Sequence, residues 1–121
     1  MIVEPARTIS AADYIASTRE RAVLVRGMAD RLPDLDALVM PTVPIVAPAL
    51  AGVSSSREAF AVQNRLSLRN TAIVNYFDLC AISLPLPREG GLPVGLMLVA
   101  KNGDDRKLFR IAAAVERLFA A

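Results

Sequence analysis

Two nearly unbroken apolar runs, Cys80–Leu86 and Pro93–Ala100, dominate the second half of the chain, separated by the polar stretch Arg88-Glu89-Gly90-Gly91. On an extended backbone Val94, Leu96 and Leu98 fall on one side of the second run, and Met97 and Val99 fall on the other. Both sides are therefore apolar. A ribbon with one face in water alternates apolar with polar, so these runs predict strands covered on both faces, as in the interior of an α/β sheet. Such a sheet needs two layers of helices, and only three candidate helices are legible in the chain.

Residues 1–9 read as an extended lead-in, with Pro5 opposing an early helix. From Ser10 the pattern turns helical. Ser10 and Asp13 form a Ser-x-x-Asp start, and Tyr14/Ile15, Thr18, Ala22, Val25, Met28/Ala29 and Leu32 recur at three- and four-residue spacing as far as Pro33. The stretch Asp36–Val43 predicts a short strand that stops near Met40, because Pro41, Pro44 and Pro48 cannot donate to a ladder. Strand ends of this kind are where α/β proteins tend to place ligands. Residues 45–56 read as a mobile loop. Ser55 with Glu58 matches a capping box and starts a second helix that runs to about Tyr76. Its later half, NTAIVNYF, is apolar on nearly every side, which predicts deep packing and a partner for each of Asn70, Thr71 and Asn75. The turn Asn102-Gly103-Asp104-Asp105 leads into a third helix with the stripe Leu108, Ile111/Ala112, Val115 and Leu118/Phe119. The expected class is α/β, in the order helix, strand, helix, strand, strand, helix: part of a mixed sheet covered by helices, in one unit over 1–121.

Composition sharpens this picture. The chain has 121 residues, 54% of them hydrophobic. With glycine counted in place of tyrosine the apolar share is about 57%, against the usual ~45–50%. The excess points to a membrane segment, an obligate partner, or a part of a larger body. No apolar run approaches the ~18–20 residues of a transmembrane helix, and the first ten residues lack an export signal, so no membrane role is expected. A single cysteine and no disulfide framework fit a reducing, cytoplasmic setting. The net charge is +2, from 14 basic and 12 acidic residues without a basic run, which gives no support to nucleic-acid binding.

The chain has no histidine, so Ser-His and Cys-His dyads are excluded within it and the commonest metal ligand is missing. Ser54-Ser55-Ser56 is the only nucleophile-like cluster. It has one nearby glycine, Gly52, and no base, so helix capping accounts for it better than catalysis. Cys80 reads as a small buried hydrophobe. Neither a metal site nor a cofactor is expected.

The segment DALVMPTVPIVAP, followed by RNTAIVNYFDLCAISLPLPREGGLPVGLMLVA, resembles the C-terminal part of amidase signature enzymes. That family carries a D-x-L-x-x-P-T-x-P element before N-x-x-G-L-P-A-I-S-x-P and a G-L-P-V-G-L-Q strand. Asp36, Leu38, Pro41, Thr42, Pro44, Thr71, Asn75, Leu79, Ala81, Ile82, Ser83, Pro85, Leu92, Pro93, Val94, Gly95 and Leu96 all fall on the pattern. Asp78, Cys80 and Met97 stand where Gly, Pro and Gln are common. Leu68 occupies the place of an aspartate that binds the aminoacyl amine in the members acting on charged tRNA, which favours a free-standing amidase of a less polar substrate.

The resemblance implies a Ser, cis-Ser, Lys mechanism in the intact enzyme, with all three catalytic residues on a segment N-terminal to this region and none in this chain. What remains would supply sheet strands and one wall of the acyl pocket. The residues expected to line a substrate pocket are Pro41, Thr42, Val43, Pro44, Leu68, Thr71 and Asn75. The implied partners are a small amide substrate and the missing N-terminal amidase segment, and the apolar excess adds self-association into a homo-oligomer. Two other readings stay open: a small non-enzymatic module that pairs with itself or a partner, and a complete small enzyme using Ser55 or Cys80.

Overall fold

The computed structural model describes residues 8–86 and 90–119. The elements are α1 (Ala11–Ala29), β1 (Leu38–Pro41), α2 (Leu50–Val53), α3 (Arg57–Tyr76), β2 (Cys80–Leu86), β3 (Val94–Ala100) and α4 (Asp105–Phe119). Most of the lead-in and the Arg88–Glu89 part of the turn between β2 and β3 lie outside the described residues.

The three strands form one antiparallel sheet in the order β1-β3-β2. Pro41 and Pro85 sit on the two flanking strands, where a missing N–H leaves the central ladder intact. The central strand β3 is apolar on both faces because helices cover both. On one face Leu84, Leu98 and Ala100 pack against Leu108 and Ala112 of α4. On the other, Met97 and Val99 pack against Val74 of α3, with Leu38 and Met40 beside them. Val99 is fully buried and Leu98 is 2% exposed.

The α/β class therefore holds, with four helices and three strands among the described residues. The cover is thinner than the sequence pattern implied for β2, whose Ala81, Ser83 and Pro85 are exposed. It is thinner again for the later half of α3, where only Asn70 and Val74 are buried. A helix resting on one sheet face hides one stripe, and the described residues form no further layer to hide the rest. Helix α1 has no buried residue although its sequence is rich in apolar side chains.

Local signals decided most helix ends. Ser10 caps α1 in a reciprocal box with Asp13, and Asp13 N–H donates to Ser10 Oγ at 3.1 Å. The cap of α3 is Ser56 and not Ser55: Ser56 Oγ accepts from Ala59 N–H at 3.0 Å. The reason is α2, a short helix inside the stretch expected to be loop. Ser55 Oγ donates to Gly52 O at 2.8 Å at the end of that helix, so α3 starts one residue later.

The accessible surface is 9143 Å². A compact monomer of this mass exposes roughly 6,300 Å². Large apolar side chains carry part of the difference, among them Leu50 at 81% exposed and Leu118 at 75%. Among the described residues no helix is long and apolar enough to cross a membrane.

Candidate functional site

The site is the end of β1, where Pro41 closes the strand and the chain turns out of the sheet. Three elements grip this point. Thr42 N–H still donates to Gly95 O of β3 at 2.8 Å, extending the ladder one residue past the strand. Asn70 of α3, 8% exposed, donates from Nδ2 to Pro41 O at 2.7 Å. Thr42 Oγ1 lies 2.5 Å from Ser83 Oγ of β2.

That last contact crosses the central strand. Thr42 and Ser83 belong to opposite edges of the sheet, and their hydroxyls meet above Gly95 of β3. A Cβ on Gly95 would stand 2.6 Å from both oxygens, so only glycine leaves the gap that the pair occupies. One hydroxyl donates to the other, and either can play the donor.

Beyond Thr42 the segment Val43–Val46 runs between two open grooves. One, of about 410 Å³, is lined by Val39, Pro41, Val43, Pro44, Leu86 and Leu96 among others, and among the described residues no charged side chain lines it. The other, of about 350 Å³, opens toward Ser67 of α3 and is bounded by Ile45, Ala47, Pro48 and Pro93. Cavities of this size hold small organic molecules, and an apolar lining selects uncharged groups.

Of the residues expected to line a pocket, Pro41, Val43 and Pro44 meet at the larger groove. Thr42 sits behind them in the hydroxyl pair. Leu68 lies on α3 and is 51% exposed. Thr71 Oγ1 donates to Leu68 O at 3.1 Å, within its own helix. Asn75 is exposed, and its carbonyl accepts from Arg21 at 3.5 Å. These three residues of α3 are not among those lining the two grooves. Asn70, singled out in the sequence as a buried amide, is the α3 residue that reaches the strand end. Ser83 and Gly95 were visible as motif positions without a role; the one polar residue in CAISLPL was the available signal.

The alternative nucleophiles are committed elsewhere. Ser54 Oγ donates to Leu50 O, and Ser55 and Ser56 are used at helix ends. Cys80 Sγ donates to Lys101 O at 3.1 Å. Burial, and then the charge of Asp105, push its thiol up from the ordinary value, so the reactive thiolate is disfavoured. Among the described residues no three His, Cys, Asp or Glu side chains cluster as metal ligands do.

Comparison with known proteins agrees with the motif. The Amidase family model matches residues 1–109. The chain is 37% identical over 117 residues to 2-amino-5-chloromuconic acid deaminase of Comamonas testosteroni, covering 93% of this chain and 24% of that protein. It is 34% identical to a glutamyl-tRNA(Gln) amidotransferase subunit of Halobacterium salinarum, covering 86% of this chain and 24% of the relative. It is 29% identical to the fatty acid amide hydrolase of Medicago truncatula, covering 93% of this chain and 19% of the relative. This chain belongs to the amidase family. It spans about a quarter or less of each of these three relatives.

Proposed function

We propose that the chain is the C-terminal part of a serine-dependent amidase that hydrolyses amide C–N bonds, and that it works in a cytoplasmic setting. Its share of the enzyme is three sheet strands and, through Pro41 to Pro44, a wall of the pocket that takes the acyl side of the substrate. The serine, cis-serine and lysine that such a reaction uses lie in the part of the family not represented here. Residues 1–121 are therefore inactive alone. The observation that carries this reading is the groove at the end of β1, apolar in its described lining and bounded by the family's own P-T-x-P element. Leu68, in place of a carboxylate, supports a less polar substrate.

Translating the DNA upstream of Met1 and assaying the longer product tests the reading. An in-frame Gly/Ser-rich segment preceded by a lysine, with amide hydrolysis by the longer product only, is the expected result. A ribosome-binding site directly before Met1, with hydrolysis by residues 1–121, contradicts it.

A second reading has its own support in the surplus of exposed surface. Val39 is 61% exposed, Phe109 65% and Tyr14 68%, so the isolated chain is a self-associating module whose copies cover one another's apolar surface. Light scattering at high concentration checks this: a mass above 13.0 kDa is expected, and a clean monomer contradicts it.

A further inference from the structure

We propose that Ser83 is a positioning residue for the groove wall, acting through Thr42 and never touching the substrate itself; this rests on the reading of the larger groove as a substrate pocket. The wall begins at Thr42, one residue past β1, where among the described residues the Thr42 N–H to Gly95 O bond is the last of the backbone pairing. Backbone pairing on one side fixes where Thr42 lies but leaves the direction of the departing chain free to swing about the strand axis. A second tether from the far edge of the sheet removes that freedom. Ser83 supplies it at 2.5 Å, across the gap over Gly95, while Asn70 holds the preceding carbonyl from α3.

Three tethers from three elements thus converge on two consecutive residues, whereas beyond them Val43 and Val46 are exposed and Pro44 and Ile45 are half-buried. The direction of the wall, and with it the width of both grooves, is set at Thr42. Removing the Ser83 hydroxyl leaves the fold and loosens the wall.

Amide hydrogen exchange on residues 1–121 reads this at the Thr42 N–H. Ser83→Ala and Thr42→Val should each speed exchange there roughly fivefold, the size expected for one hydroxyl bond. The double variant should go no further than either single one, since both remove the same bond. Ser83→Thr keeps the hydroxyl and should restore protection, while Leu98 in the middle of β3 stays unchanged throughout. Hexanamide titrated against the chain, followed through the methyls of Val43, Val46 and Val94, should bind more weakly by a similar factor in Ser83→Ala and recover in Ser83→Thr. Thr42 exchange indifferent to both single substitutions, or Leu98 accelerating in parallel, overturns the positioning role. Hexanamide leaving the methyls of the unsubstituted chain unshifted overturns the pocket reading alone, because the exchange experiment needs no ligand.

Discussion

Arg21 of α1 and Asp78, two residues past the end of α3, are joined by an ion pair of 2.5 Å, and Asp78 holds it from a left-handed backbone with φ of 53°. The guanidinium also lies 5.6 Å from the centre of the Tyr76 ring. Since α1 has no buried residue, these contacts of Arg21 are a main tie between that helix and the body of the chain. A glycine is the usual solution at such a φ, and the amidase motif commonly has glycine there. In this chain the carboxylate takes its place and reaches α1.

Substitutions at Asp78 should separate backbone strain from the ion pair. Asp78→Ala loses the pair and keeps the left-handed conformation, whereas Asp78→Gly loses the pair and relieves the strain. Urea unfolding should find the glycine variant more stable than the alanine variant by about 1 kcal/mol. The pair itself is solvent-screened, with side chains 36% and 46% exposed, so Asp78→Gly should differ from the unsubstituted chain by less than about 1 kcal/mol.

Two glycines should respond in opposite directions to alanine. At Gly95 the new methyl meets both hydroxyls at 2.6 Å, so Gly95→Ala should cost about 1–3 kcal/mol in urea unfolding and break the Thr42–Ser83 pair. At Gly27, inside α1, nothing lies within 4 Å of an added Cβ. Gly27→Ala should therefore stabilise by about 0.5–1 kcal/mol.

The two faces of β3 should fail independently. Leu98→Ala opens the core under α4, and Val99→Ala the smaller core under α3. Thermal or urea unfolding should show a loss of about 2–5 kcal/mol for the leucine and a smaller loss for the valine, which gives up fewer carbons. Equal or negligible losses would mean that one of the helices does not cover its face.

Cys80 should be slow to react. In the folded chain its thiol holds its proton to higher pH than in the unfolded chain, because of burial first and Asp105 second. The stability contributed by the neutral thiol is therefore present below the thiol's ordinary range and is lost as pH rises through the higher, folded value. Alkylation by iodoacetamide should inflect above the pH at which free cysteine does; an inflection at or below it contradicts the burial seen here.

The parts of this structure legible in the sequence are those whose causes are local. Ser10 and Asp13 announce their capping box within four residues, and the apolarity of Met97 and Val99 as well as Leu96 and Leu98 announces a strand with cover on both faces. Ser55 misled because Gly52, in a helix too short for periodicity to reveal, took its hydroxyl. The exposure of α1 and of much of α3 was hidden because an apolar residue does not say whether its cover lies in the same 121 residues. The site was half legible. Pro41 to Pro44 stand out as a strand that must stop, and Asn70 as an amide that needs a partner. That the partner is Pro41, 29 residues away, and that Ser83 reaches Thr42 across 41 residues, depends on strand register and helix placement, which no local pattern encodes.

Ammonia release from hexanamide by purified residues 1–121 measures most directly whether this chain carries only the non-reacting side of an amidase. No release above the buffer blank is predicted at any pH between 6 and 9. Turnover that disappears in Ser55→Ala or Cys80→Ala would place the chemistry in this chain and contradict the account.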